Sequence, residues 1–156
     1  MPSNDPQFRF KANLRSEAGD TFVDLNAGGG KDPAIIAFSN GTNKSNPNQI
    51  WEFYSVPGFE TRVVIKSSTN QSVVYAETAG GRARADKHDV WDAAAQWYLE
   101  GGPVEDIKED TIVRLRNVKF ADNYLDLEAS NTSNGTPFLV FPGHGGKNQA
   151  FKLLKR

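Results

Sequence analysis

Apolar and polar residues alternate along this chain in short runs. In Phe8-Arg9-Phe10-Lys11-Ala12-Asn13-Leu14 every second side chain is apolar, and Thr21-Phe22-Val23-Asp24-Leu25 follows the same rule from Val23 on. A period of two is the mark of a half-buried strand. Turn-forming clusters break the runs: Ala27-Gly28-Gly29-Gly30, Ala79-Gly80-Gly81, Gly101-Gly102-Pro103, Ser133-Asn134-Gly135 and Gly143-His144-Gly145-Gly146. Strand candidates fall at 8–14, 21–26, 34–39 and 50–56, at 62–67, 72–78, 82–85 and 96–100, and at 111–117, 124–129, 138–141 and 150–155. The third of the middle set, Arg82-Ala83-Arg84-Ala85, is the weakest. The only helix-like stretch spans 90–96 and has the length of a single turn. Short strands at even spacing predict an all-β sandwich or barrel.

A phrase repeats near the end of each set. It reads Asn48-Gln49-Ile50-Trp51-Glu52-Phe53, then Ala94-Ala95-Gln96-Trp97-Tyr98-Leu99, then Asn148-Gln149-Ala150-Phe151-Lys152-Leu153. A phrase returning about every fifty residues signals structural copies. Three copies of four strands predict a β-trefoil, a single domain over 1–156 with lobes of about 7–56, 57–102 and 103–156. Trp51 and Phe53 share strand parity and point into the barrel together. Three such aromatics fill one core, each contributing roughly 2–3 kcal/mol of burial.

Composition narrows the function classes. At 156 residues the chain buries a core without staples. With no cysteine, disulfides and thiolate metal sites are excluded. A formal net charge of −1, with scattered Lys and Arg, gives no nucleic-acid footprint. No apolar run reaches membrane-spanning length, so insertion into a membrane is not expected. The opening Met1-Pro2-Ser3-Asn4-Asp5-Pro6 is polar and unlike a signal peptide, so a cytoplasmic chain is expected, released by a non-classical route or on lysis. His88 and His144 lack metal-ligand spacing, and no nucleophile elbow is present. The turn Gly28-Gly29-Gly30 lacks the strand-to-helix setting of a phosphate loop. No cofactor, no metal and no catalytic activity are expected.

The Gln-x-Trp phrase in near-triplicate resembles the ricin B-type lectins, over essentially 8–155. That resemblance implies a β-trefoil that binds glycans ending in galactose or N-acetylgalactosamine. It implies that Gln49 and Gln149 bond backbone and secure their loops. It further implies that Asp24 and Asp126 hold vicinal sugar hydroxyls, that Phe38 and Phe141 stack on the sugar ring, and that Asn48 and Asn148 complete the network, with His144 an added polar contact at the rim. Family sites more often stack with Trp or Tyr, and Phe lacks their polar edge. Single-domain members without a leader are common among fungal lectins, where defence against grazers is a frequent role.

The residues support the same sites by their chemistry. A carboxylate accepts two adjacent hydroxyls, an aromatic face packs on sugar C–H groups, and an amide both donates and accepts. Val23-Asp24-Leu25 and Leu125-Asp126-Leu127 each send two aliphatics inward and a carboxylate outward. Phe38 and Phe141 follow by 14 and 15 residues, Asn48 and Asn148 by 24 and 22. Strand parity near a turn also allows Phe38 and Phe141 to be core residues. The middle copy departs: Tyr75 stands where the carboxylate belongs, Ala94 replaces the asparagine, and Ala95 replaces the glutamine, with Gln96 one place late. No site of this kind is expected there, and its loop must be held differently. Trp91 is either a cover for the barrel end or a surface anchor for a partner subunit.

Two sites per chain permit cross-linking, which a homodimer would extend. A shallow sugar site binds at millimolar to micromolar Kd, roughly −4 to −8 kcal/mol. The competing reading is a β-trefoil protease inhibitor acting through an exposed loop such as 40–48.

Overall fold

The computed structural model describes residues 4–40 and 45–156. Twelve strands form: β1 (Gln7–Ser16), β2 (Phe22–Leu25), β3 (Ile35–Phe38), β4 (Trp51–Ser55), β5 (Arg62–Ser67), β6 (Val73–Ala76), β7 (Ala83–Asp86), β8 (Trp97–Glu100), β9 (Ile112–Asn117), β10 (Asn123–Leu127), β11 (Phe138–Pro142) and β12 (Phe151–Lys155). All twelve sequence candidates coincide with them to within a few residues. The single expected helical turn is found at Ala93–Ala95. It is not alone: 3-10 turns also occupy Asn26–Gly28, Pro47–Gln49, Val104–Asp106, Glu128–Ser130 and Lys147–Gln149. A three-residue turn shows no periodicity, so pattern reading passes over it.

Six strands close a ring. Antiparallel pairings run from β1 to β4, β4 to β5, β5 to β8, β8 to β9, β9 to β12, and back from β12 to β1. Closure leaves this ring no free edge. The other six strands make three hairpins, β2–β3, β6–β7 and β10–β11. Bridges between Ile36 and Pro137 and between Arg82 and Leu139 fasten the hairpins to one another. The result is a β-trefoil: strands β1–β4, β5–β8 and β9–β12 make lobes one, two and three.

The repeated phrase builds the core. Trp51, Trp97 and Phe151 are fully buried, as are Phe53, Leu99 and Leu153 two residues on. Leu14, Ile65 and Leu115 supply the matching layer from the first strand of each lobe. The indoles also act as ties: Trp51 Nε1 donates to Val23 O at 2.9 Å and Trp97 Nε1 to Val74 O at 3.0 Å. Each bond ends beside the outward-facing position of the second strand, Asp24 in lobe one and Tyr75 in lobe two. Phe151 has no ring N–H and meets Phe138 at 5.8 Å between centroids instead. The run Gly28-Gly29-Gly30 has φ of 81°, 113° and 76°, a left-handed path suited to glycine.

Candidate functional site

The carboxylates of lobes one and three stand at the same place. Asp24 pairs across the hairpin with Ile36, and Asp126 with Leu139. Phe38 and Phe141 lie two residues beyond those partners, on the same face as the carboxylates. Diagonal neighbours of this kind sit about 7–8 Å apart, within reach of one small ring between them. Both phenylalanines are 41% exposed, so the core alternative does not hold for either.

The carboxylates are less open than expected. Asp24 is 5% exposed and Asp126 2%. They leave the hairpin on its outer face, but the 3-10 turns Pro47–Gln49 and Lys147–Gln149 fold over them. Loss of water lifts both carboxyl groups above their ordinary range. The Gln49 bond draws Asp24 partly back; contacts from Gln149, His144 and Asn148 do so for Asp126.

The glutamines do more than secure loops. Gln49 Nε2 donates to Phe38 O at 3.2 Å and also to Asp24 Oδ2 at 3.0 Å. Gln149 Nε2 donates to Pro142 O at 3.0 Å and to Asp126 Oδ2 at 2.8 Å. One amide therefore fixes the loop, the end of the aromatic strand and the carboxylate together. Asn13 Nδ2 grips the backbone of this turn in lobe one, donating to Gln49 O at 2.6 Å.

The two asparagines diverge. Asn148 Nδ2 donates to Asp126 Oδ1 at 3.1 Å and to Leu127 O at 3.0 Å, so both of its amide protons are directed to partners within the lobe. Asn48 is turned elsewhere: its Oδ1 accepts from Thr69 Oγ1 at 2.8 Å. Thr69 belongs to lobe two, so this contact crosses between lobes and no pattern within one lobe signals it. His144 is half-exposed, and its ring reaches toward the carboxylate. Its Nδ1 accepts from Gly146 N at 3.1 Å, which leaves Nε2 carrying the proton in the neutral ring. That Nε2 lies 3.4 Å from Asp126 Oδ2.

Lobe three thus commits both oxygens of Asp126, while Asp24 takes one hydrogen bond from the described side chains. A carboxylate has about four acceptor positions. Asp24 keeps more of them for a ligand; Asp126 is the more firmly oriented. Just past each carboxylate an alanine adopts left-handed backbone, Ala27 and Ala129 both at φ 52°. Such a conformation costs a residue with a Cβ about 1–2 kcal/mol. It occurs after Asp24 and Asp126 but not after Tyr75.

Lobe two reverses the arrangement. Tyr75 takes the carboxylate position, and Asp86, last residue of β7, takes the aromatic one; Tyr75 Oη donates to Asp86 Oδ2 at 2.8 Å. The Tyr75 ring stacks on His88 at 3.9 Å, and His88 Nε2 meets Asp92 Oδ2 at 2.8 Å. Burial and the Asp86 bond push the Tyr75 hydroxyl up to about 12. Ending the strand at Ala85 hid Asp86 from sequence reading. The loop is held by Gln96, whose Nε2 donates to Val90 O at 3.0 Å, and by Asn117, whose Nδ2 donates to Ala94 O at 3.0 Å. Trp91 is 49% exposed.

No group of three or more His, Cys, Asp or Glu among the described residues is placed to hold a metal ion. None of their helices is long and apolar enough to cross a membrane. The loop proposed for protease inhibition has its centre, 41–44, outside the described residues.

No curated protein sequence matches the chain. Among solved structures it is similar to the Rhizoctonia solani agglutinin, at TM-score 0.74 and 18% identity, with 100% of both chains covered. It is also similar to the Macrolepiota procera ricin B-like lectin in complex with lactose, at TM-score 0.69 and 20% identity, covering 100% of this chain and 99% of that one. The earthworm R-type lectin C-half in complex with GalNAc gives TM-score 0.68 and 19% identity, over 94% and 99%. These likenesses establish the fold. Residues 47–141, more than half of the sequence, match the family described as ricin-type beta-trefoil lectin domain-like, and the chain belongs to that family.

Proposed function

We propose that the chain is a non-catalytic lectin that binds galactose- or N-acetylgalactosamine-terminated glycans through lobes one and three. The observation that carries this reading is the twinned constellation. In each of these lobes a carboxylate is oriented by a glutamine amide and lies diagonal to a half-exposed phenylalanine. In lobe two the acid and the aromatic have exchanged places.

The chemistry suits a hexose with adjacent hydroxyls and an apolar face. The carboxylate oxygens accept from the hydroxyls, and the phenyl ring covers the C–H side. The lactose and GalNAc held by two structurally similar lectins are sugars of this class and support the choice. Asp24 and Asp126 belong to different lobes, and among the described residues their side-chain partners are amides and, for Asp126, an imidazole. The non-catalytic reading is supported by the lectin family to which the chain belongs.

The test is a glycan array run beside haemagglutination, on the wild-type protein and on Asp24→Ala with Asp126→Ala. Wild-type binding to galactose- or N-acetylgalactosamine-terminated glycans, abolished in the double variant, is expected. Binding that survives both substitutions contradicts the assignment, as does a wild-type protein silent on all such glycans.

A further inference from the structure

Beside the carboxylate site of lobe three lies a groove of ≈ 820 Å³, lined by Glu100, Arg114, Arg116, Tyr124, Gly143 and Gln149 among others. That volume falls in the range of small-ligand sites, about 300–1,000 Å³. Groove and site are neighbours on the hairpin. Tyr124 lies two residues before Asp126 and directly opposite Phe141, so all three share one face of the hairpin. Gln149, which holds Asp126, lines the groove as well.

Lobe one has different residues at the matching positions. Phe22 stands where lobe three has Tyr124: two residues before Asp24, opposite Phe38. It is 8% exposed and has no hydroxyl. Arg15 faces Phe22 as Arg116 faces Tyr124, but its guanidinium is turned to Asp20. In lobe three the same positions form a polar wall. Tyr124 Oη donates to Glu100 Oε2 at 3.1 Å, and Arg116 Nε donates to the same oxygen at 2.9 Å. Arg114 donates to Gly146 O and Gly145 O at 3.0 and 3.1 Å and so fixes the loop that carries His144. A side chain at Gly143 would meet the Tyr124 ring at 2.6 Å, so glycine keeps this loop close to the ring.

We propose that lobe three binds a disaccharide unit, whereas lobe one binds a terminal sugar alone. This rests on the lectin reading above. Asp126 takes the terminal sugar, and the groove takes the sugar that follows it. That second sugar is neutral, because the charges on the wall cancel: Arg114 and Arg116 against Glu100 and Asp122. Carboxylate, guanidinium and phenol together supply the acceptors and donors that ring hydroxyls require.

Single-site proteins separate the lobes. Asp24→Ala leaves lobe three, and Asp126→Ala leaves lobe one. Each is titrated with methyl β-galactoside and with lactose, following amide shifts by NMR. Asp24→Ala is expected to bind lactose about tenfold more tightly than the monosaccharide, and Asp126→Ala to bind both alike. Ala121 is exposed, lines the groove and contributes only its carbonyl, to Arg116. Ala121→Trp in the Asp24→Ala protein therefore fills the groove; the lactose preference should vanish while galactoside affinity is unchanged. Equal preferences in the two single-site proteins would overturn the inference, as would a preference untouched by Ala121→Trp. Tighter binding of a galactoside whose second sugar is glucuronic acid would also overturn it. A wild-type protein that binds neither sugar overturns the lectin reading itself, a result distinct from equal preferences.

Discussion

Asp24 and Asp126 occupy the same register on the same kind of hairpin, yet they differ in company, and the difference has consequences. Burial disfavours the charged form of both. A carboxyl raised in the folded state makes the ionised form a liability there. The cost is present at pH above the raised value and fades as pH falls through it. Asp24→Asn removes that charge, and the new amide can turn its oxygen to Gln49 and its NH2 group outward. We expect Asp24→Asn to raise the thermal midpoint at neutral pH, with the gain shrinking in acid. Asp126→Asn behaves in the opposite way. Both Asp126 oxygens already receive donors, from Asn148 on one and Gln149 on the other. An amide nitrogen must face one of them, at a cost of about 1–3 kcal/mol. Thermal melts at several pH values check both signs, and each variant should lose sugar binding in its own lobe. In the wild type, acid that protonates the two carboxylates is expected to weaken the proposed sugar binding by removing its acceptors. A lower midpoint for Asp24→Asn at neutral pH would contradict the desolvation argument.

At the scale of elements, the repeated phrase is a set of joints. Its aromatic ties the barrel to the second strand of the lobe in lobes one and two. Its glutamine ties loop, third strand and carboxylate in lobes one and three. We expect Gln149→Ala to cost about 1–3 kcal/mol in denaturant unfolding, because it removes the donor to Pro142 O and Asp126 Oδ2 and the acceptor of the His144 N–H together. Binding in lobe three should fall with it while lobe one is kept. Strands were legible in the sequence because alternation reports burial directly, and the weak run 82–85 still marks β7. The 3-10 turns were not, save one, since nothing periodic marks three residues. The depth of the carboxylates was missed for the same reason: parity tells which face a side chain leaves from, not what folds over it. Asn48 bonding Thr69 of the next lobe, and the groove walled by β8, β9 and β10, depend on contacts between distant segments.

For the whole molecule, pseudo-threefold symmetry sets a common frame that the three lobes use differently. Lobes one and three keep acid and aromatic in the same order, and lobe two exchanges them and covers Tyr75 with His88. With two sites as proposed, one chain would engage two glycan ends without a dimer, and avidity would follow the spacing of the ends. The central claim is that two of three equivalent places bind sugar. It is tested most directly by amide NMR shifts of the uniformly labelled protein titrated with lactose. The account predicts two separate groups of shifting amides, one around Asp24 and Phe38 and one around Asp126 and Phe141, with those around Tyr75 and Asp86 still. Shifts centred on Tyr75 and Asp86, or none in lobes one and three at saturating sugar, would contradict it.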